Sequence, residues 1–527
     1  MKKILLIQPK SPETFWKLTG WLNITKEKAL VPPLALVTVA ALTPPEYEIK
    51  IVDEEVKEID FDTPCDLVGI TGYTHHTPRI LEIASEFRKR GVLTVAGGSA
   101  CTIHKEEFRP HFDVLINGEA EEVWPRFLAD WEQGKHLDLY QGASDLDLSI
   151  SPPPRWDLLD MNPYNSVMVQ TSRGCPYDCE FCDVVALFGH RMRYKPIEHI
   201  LKEIQNLERA NRKRIFLADD NLIGNKGFVK KLLNALIDFN KTLKQPISYY
   251  TQLTLNVARD EELLDLLKEA NFPMVFIGIE TPNKESLIET NKKHNLLMDI
   301  KEAVRCIQSR GIIIISGLIV GFDSDDLDIF STQSRFLVEA GLTVPMLATL
   351  KAPRGTKLWD RLNREGRLIQ EDGCDTFGDY SCNFRPKNMT KSQLEENYLE
   401  LFREVYSFPH FLKRFKNLID QVDLDKVKKN SPLAWNVRFR RKKDCILATV
   451  FMIRHFVVDG DREKRTFFFS MVRTALRKGL ICFHLVYETL IIFISQSHFV
   501  SGLPNKSAPH TLGGSYRPRV FPSGSLK

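Results

Sequence analysis

The chain has 527 residues, 43% hydrophobic and 27% charged, a globular composition long enough for two to four domains. Its formal net charge of +4 is too small for that length to argue for nucleic acid as a partner. Ten cysteines, scattered singly except for one tight cluster, speak against a disulfide framework and for metal binding in a reducing compartment.

The opening Met1-Lys2-Lys3 is basic, but the apolar run Ile4 to Ile7 stops at Gln8-Pro9, too short for the core of a secretory signal. The expectation is a cytoplasmic protein, with any membrane contact peripheral and on the inner face. Short apolar segments at Lys3 to Gln8, Tyr47 to Val52, Asp66 to Thr71, Leu93 to Ala96 and Asp113 to Ile116 alternate with helical stretches. They predict a parallel α/β domain over residues 1–141. A polar, proline-rich linker follows (142–160). A second series begins at Ser166 to Gln170 and continues with Arg214 to Ala218, Ile247 to Thr254, Met274 to Ile279, Ile312 to Val320 and Val344 to Leu350. Six β/α units over 161–385 suggest a partial (β/α)6 barrel, whose chemistry belongs at the C-terminal ends of the strands.

From 386 to 501 the pattern turns helical, and 502–527 has the composition of a disordered tail. Basic residues concentrate between Lys413 and Lys478; such runs are usually solvated faces, with an anionic surface as the functional alternative. The stretch Gly479 to Gln496 is strongly apolar, but His484 and Glu488 interrupt it, which fits a buried or interfacial helix better than a spanning one.

The most informative segment is Arg173-Gly174-Cys175-Pro176-Tyr177-Asp178-Cys179-Glu180-Phe181-Cys182, on the loop after the first barrel strand. Its spacing lets one loop wrap three corners of a cuboidal 4Fe-4S cluster, which usually takes four thiolates. With no fourth cysteine nearby, one iron stays open, the property that separates a reactant-binding metal site from a structural one. A zinc half-site or a chance group of buried thiols is the plain alternative. Cys374 and Cys382 invite a second-cluster reading but are more often ordinary thiols.

This Cys-x3-Cys-x-aromatic-Cys pattern resembles the defining motif of radical S-adenosylmethionine enzymes. The resemblance implies metal ligation by Cys175, Cys179 and Cys182. It also implies S-adenosylmethionine bound at the open iron, cleaved there to a 5'-deoxyadenosyl radical, with Phe181 packed on the adenine. By the same resemblance Asp219 and Asp220, ending the second strand, would bind the methionine ammonium, although either is also a natural helix cap. Glu280, ending the fourth strand, would reach the ribose. Gly317 and Gly321 resemble the fifth-strand motif whose backbone lies along the adenine, a close approach that glycine permits. Where many relatives carry Glu, Ser324 and Asp325 stand here.

The first domain resembles the cobalamin-binding domain of one large branch of the superfamily. Pro32-Pro33-Leu34, Gly69-Ile70-Thr71-Gly72, Gly97-Gly98-Ser99 and Gly118-Glu119 occur in the order of its landmarks. Thr71, Gly72, Gly97, Gly98, Gly118 and Glu119 are the cobalamin-site candidates, small residues at strand ends that let a flat corrin approach an open sheet edge. The Asp-x-His-x-x-Gly motif that supplies an axial histidine elsewhere is absent.

Beyond the barrel, Lys351 to Leu358, Arg361-Leu362, Glu365 to Leu368 and Asn383 to Lys387 look like the extension of a subgroup that includes the hopanoid C-2 methylases. That implies methyl transfer through cobalamin to an unactivated carbon of a small-molecule or lipid substrate, with an electron donor such as flavodoxin or ferredoxin, and with the cofactors carrying the difficult chemistry. Two other readings stay open: a cobalamin-assisted radical cyclase or rearrangement enzyme, and a non-catalytic iron-sulfur or cobalamin sensor. A methylthiotransferase is disfavoured, because Cys65 and Cys101 alone cannot hold its extra cluster.

Overall fold

A computed structural model describes residues 1–210, 212, 214–369, 381–429, 450, 452–479 and 483–501. Two six-stranded parallel sheets organise the chain. The first has strand order β2-β1-β3-β4-β5-β6: β1 is Lys3–Gln8, β2 Glu48–Asp53, β3 Leu67–Thr71, β4 Leu93–Gly97, β5 Val114–Asn117 and β6 Leu139–Gln141. Four consecutive buried residues in β1 (Ile4 to Ile7), and all four of β5, mark strands covered on both faces, as an α/β layer requires. The helix Thr77–Lys89 covers one face with Ile80, Ile83, Ala84 and Phe87, a stripe of helical period. The edge strand β6 was not legible in the sequence: it has three residues, of which only Tyr140 is buried.

The second sheet runs β7-β10-β11-β12-β13-β14 in sequential order without closing: β7 is Val167–Val169, β10 Arg214–Leu217, β11 Ser248–Leu253, β12 Met274–Glu280, β13 Ile313–Val320 and β14 Val344–Thr349. This is the partial barrel the strand series predicted. Between β7 and β10 lies a two-stranded antiparallel pair missed in the sequence, β8 (Ser172–Arg173) with β9 (Arg193–Tyr194).

The C-terminal region is helical. Thr390 opens the helix Lys391–Val405 with a reciprocal cap to Gln393, and Ser407 caps Phe408–Gln421. Arg414 is fully buried and donates to the carbonyls of Leu342 (2.9 Å), Thr343 and Val405, so burial pulls its guanidinium down to about 9. The apolar helix Phe483–Ser501 is inside the protein: Leu485, Val486, Leu490, Ile491 and Phe493 are buried, and the Phe493 ring lies 4.2 Å from Phe411. It also meets the helix Thr19–Thr25, where a Cβ on Gly20 would come 2.8 Å from the Ser495 backbone. It is therefore a core element, not an interfacial one. Among the described residues no helix is long and apolar enough to cross a membrane. Cys374 and the 502–527 segment lie outside the described residues; Cys382 is buried, its thiol directed at the Phe384 carbonyl.

The two sheets are tied by buried polar contacts. Asp53, ending β2, accepts the Tyr164 hydroxyl (2.9 Å) from the segment leading into the barrel, and the Glu55 N–H (3.0 Å). Burial outweighs both bonds and raises the Asp53 carboxyl to about 6. A raised carboxyl means that folding favours the protonated form, so this contribution is complete below about pH 4 and is lost as pH rises through about 6. Asp53→Asn, neutral throughout, is expected to exceed the native chain in stability by up to about 3 kcal/mol near pH 8. Urea denaturation at several pH values should show that margin vanish toward pH 4.

Candidate active site at the cysteine loop

The cysteine loop leaves the barrel through β8 and returns through β9. Their register sets Ser172 opposite Tyr194 and Arg173 opposite Arg193. Like charges facing each other on adjacent strands repel. The compensation comes from the first domain: the Glu119 carboxylate accepts from Arg173 (2.9 Å) and from both terminal nitrogens of Arg193, while Glu121 accepts from Arg173 at 2.6 Å. Both carboxylates are nearly fully buried, and although burial pushes Glu121 up, Arg173 holds it below its ordinary value. The carboxylate of Glu119, a residue expected at the corrin edge, is thus engaged by two arginines.

Glycine is required at the loop entrance. Gly174 has φ +94°, and a Cβ there would lie 2.6 Å from the Arg191 carbonyl. Farther on, the Glu180 N–H donates to Thr290 O (2.9 Å), the Leu358 N–H to Glu180 O (2.9 Å), and Arg361 forks onto the Glu180 carboxylate at 2.6 and 3.1 Å. The Tyr177 ring stacks on His294 at 3.8 Å and its hydroxyl accepts from Asn256 at 2.8 Å. Thus residues between the cysteines hold the loop from outside while the thiols stay half-buried.

Burial pushes the thiols of Cys179 and Cys182 up to about 11 and about 12, and that of Cys175 up as well, with the Lys292 ammonium opposing the rise at all three. Iron would replace a proton at each. Among the described residues no three His, Cys, Asp or Glu side chains converge closely enough to hold a single ion.

The strand-end carboxylates divide their tasks. Asp219 is buried and accepts four hydrogen bonds, from the backbone and hydroxyl groups of Thr171 and Ser172, three of them on one oxygen, so it fixes the turn between β7 and β8. Asp220 accepts only the Gly174 N–H (2.9 Å) through one oxygen, and burial raises it to about 7. Next to it, the buried Asn221 side chain hydrogen-bonds weakly to the Cys175 thiol, and its amide nitrogen meets no oxygen acceptor among the described residues. Sequence reading missed Asn221, whose signal was its place directly after the acidic pair at a strand end.

Glu280 ends β12 with φ +66°, at a register irregularity against β13, and its carboxylate forms a buried ion pair with Lys292. The ammonium also stands 5.7 Å over the Phe181 ring. A Cβ on Gly278 would collide with the Glu280 carboxylate, 2.3 Å away, so the pair depends on that glycine. Lys292, too, was missed: a lysine in a polar stretch carries no mark of burial. Gly317 lies against Phe276, and Gly321 (φ +101°) precedes Phe322, whose ring is 6.1 Å from Phe181. Asp325 accepts the Gly321 and Phe322 N–H groups, both at 3.0 Å, and the Ser286 hydroxyl at 2.8 Å, which makes it a brace of this turn.

In the first domain Thr71 and Gly72, Gly97 and Gly98, and Gly118 stand at the C-terminal ends of the neighbouring strands β3, β4 and β5. Gly98 (φ +87°) leaves no room for a side chain, since a Cβ would sit 2.2 Å from Thr71 Oγ1. The helix Gly98–Ile103 packs on Val184–Phe188, the helix that follows Cys182. The strand ends of the first sheet and the cysteine loop are thereby neighbours.

Replacing Arg193 with Ala leaves the buried Glu119 short of a partner, a change that typically costs about 3–5 kcal/mol. Denaturation of Arg193→Ala and Glu119→Gln, singly and combined, should give a double variant much less destabilised than the sum of the two single effects.

With this geometry in place, comparison with known proteins is informative. Residues 169–331 match the radical SAM superfamily, and 356–503 match a domain of unknown function, DUF4070. The chain is 36% identical over 413 residues to an uncharacterized methyltransferase of Synechocystis sp., covering 77% of this chain and 76% of that one. It is 28% identical over 534 residues to the hopanoid C-2 methylase of Rhodopseudomonas palustris (strain TIE-1), covering 98% and 97% respectively. A solved structure of OxsB, a cobalamin-dependent S-adenosylmethionine radical enzyme with aqua-cobalamin and S-adenosylmethionine bound, superposes with a TM-score of 0.61 at 15% identity. That superposition covers 95% of this chain and 79% of OxsB, a likeness of fold.

Proposed function

This chain belongs to the radical S-adenosylmethionine superfamily, and we propose that it is a cobalamin-dependent C-methyltransferase acting on a hydrophobic, hopanoid or lipid-like substrate. The observation that carries the reading is the clamp of Glu119 and Glu121 on Arg173 and Arg193, which brings the glycine-lined strand ends of the first domain against the cysteine loop. Two cofactor-type sites on separate domains, held face to face, suit a reaction that needs both. The names of the two methyltransferase relatives support methyl transfer, and the hopanoid C-2 methylase, matched almost end to end, supports the substrate class.

When bound, a 4Fe-4S cluster with S-adenosylmethionine supplies a radical able to take hydrogen from carbon, and cobalamin carries a methyl group. Cys175, Cys179 and Cys182 would hold the cluster. Asp220, through its unused oxygen, would orient the polar end of S-adenosylmethionine, with Asn221 beside it at the Cys175 thiol. Phe181, Gly317 and Gly321 would flank its adenine, while Glu280 fixes Lys292 beside the thiols. Thr71, Gly72, Gly97, Gly98 and Gly118 would admit the corrin and its tail. An electron donor of the flavodoxin or ferredoxin type would reduce the cluster.

Anaerobic reconstitution with iron, sulfide and hydroxocobalamin, followed by iron and corrin analysis and a 5'-deoxyadenosine assay, tests this. The native chain should take up cluster and corrin and release the nucleoside; the triple variant Cys175→Ala, Cys179→Ala, Cys182→Ala should lose cluster and nucleoside. Nucleoside production by that variant would sink the radical reading. Gly97→Leu offers a cleaner probe of the corrin site than any change at Gly98. Gly97 has extended backbone and an added Cβ meets Ile116 only at 3.6 Å, so the position accepts a Cβ without strain. Corrin uptake should fall at least about tenfold, as for any ligand whose contact surface is filled, with iron content unchanged. Unchanged corrin uptake would remove cobalamin from these strand ends. A hopanoid whose mass rises by one methyl group identifies the transfer, while a product of unchanged carbon count would favour a cyclase or rearrangement.

A further inference from the structure

The helix Arg462–Lys478 has two distinct faces. Its inner side buries Phe467, Met471 and Ala475 in the C-terminal core, against Phe408, Phe411 and Phe493. Its outer side exposes Arg462, Glu463, Arg465, Thr466, Phe469, Arg473, Leu476 and Arg477, a face of helical spacing in which two large apolar groups stand among cations. Phe469 and Leu476 are 55% and 50% exposed, and the preceding turn Arg454–Val458, which packs on this helix, adds Val458 at 65%. The Arg465 guanidinium joins turn and helix through the Val457 carbonyl at 2.9 Å. Among the described residues twelve large hydrophobic side chains are exposed, and five of them lie between Val450 and Leu476. Such clustering along one segment is unlike the scattered exposure of an ordinary soluble face.

Charge singles out the same segment. Residues 450–478 carry seven Lys or Arg and three Asp or Glu, an excess of four that equals the net charge of the entire chain, so the remainder is neutral. Among the described residues Arg462, Arg473 and Arg477 form no ion pair, whereas Arg454 is paired with Asp459. The apolar helix Phe483–Ser501 does not supply the contact, because Leu485, Val486 and Leu490 to Ile494 are already buried in the core beneath this one.

We infer that the outer face of Arg462–Lys478, with the turn before it, docks on an anionic lipid bilayer, Phe469, Leu476 and Val458 entering the headgroup boundary and Arg462, Arg473 and Arg477 meeting the phosphates. Interfacial helices bind through this combination of apolar insertion and cationic attraction. The occupant is a bilayer because apolar side chains project between the cations, a pattern that a purely polyanionic partner would not require. The inference rests on the reading of the substrate as a hydrophobic lipid, which it would bring to the enzyme at the membrane surface.

The test is co-sedimentation of the full chain, reconstituted with its cofactors, with phosphatidylcholine vesicles with and without phosphatidylglycerol. Binding should require phosphatidylglycerol and weaken with salt. The double variants Arg473→Glu/Arg477→Glu and Phe469→Ser/Leu476→Ser should each reduce it about tenfold or more, at unchanged iron content and melting temperature. Leu137→Ser, a change of an exposed side chain on the first domain, should leave binding as it is. Failure of the native chain to bind anionic vesicles, or binding that survives both double variants, would overturn the inference. So would a lipid-free dimer that both variants dissociate, which would assign the face to a second copy. 5'-Deoxyadenosine formation without vesicle binding would refute the surface alone; vesicle binding by a chain that forms no 5'-deoxyadenosine would refute the reaction alone.

Discussion

The site depends on one buried carboxylate. Glu119 stands between Arg173 and Arg193, which the β8-β9 register sets opposite each other, and without it the neck of the cysteine loop would close on two facing cations. Because Glu119 comes from the first domain, the barrel does not complete its own loop: the loop is finished only when the two sheets meet. A buried ion pair of this kind contributes little net stability over an apolar contact but penalises every arrangement that leaves a charge unpaired. Its value here is in specifying one relative placement of the domains.

The same logic recurs around the loop. Glu180 is held by Arg361, and Arg361 together with Arg367 also binds Asp323 at 2.6–2.7 Å, so the segment after the barrel grips the loop from the far side. Opposing guanidinium donors hold the Asp323 carboxyl far below the ordinary range despite burial. Asp219 and Asp325 brace the backbone on either side of the site. Most charged side chains near the cysteines thus hold geometry, and Asp220, which accepts a single hydrogen bond, stands out against them. Preorganisation of this sort positions a reactive centre without motion at the moment of reaction.

The clamp also explains why the helical C-terminal region is more than an appendage. Its helices bury Phe411, Phe415, Phe467 and Phe493 in a core that reaches Ile313 and Val344 of the barrel strands β13 and β14 and Trp21 of the N-terminal segment. The region covers the end of the open barrel, and its outermost helix is left with an apolar and cationic face.

The sequence by itself determined the two parallel sheets, eleven of whose strands are visible as short apolar runs, because a buried strand face leaves a hydrophobic signature that needs no partner to be seen. It also determined the cysteine triad and the strand-end glycines, since ligand spacing and the absence of a side chain are local facts. It did not reveal β6, β8 or β9, two or three residues long and mostly polar, below the length at which periodicity speaks. Nor could it separate a carboxylate that faces a ligand from one that holds the fold: Asp219 and Asp220 are adjacent and chemically identical, and Glu119 and Glu280 sit in motifs that suggest ligand contact. Only tertiary structure decided how many donors reach each of these carboxylates. A carboxylate's role depends on how many donors reach it, and the donors for Glu119 come from arginines 54 and 74 positions away along the chain.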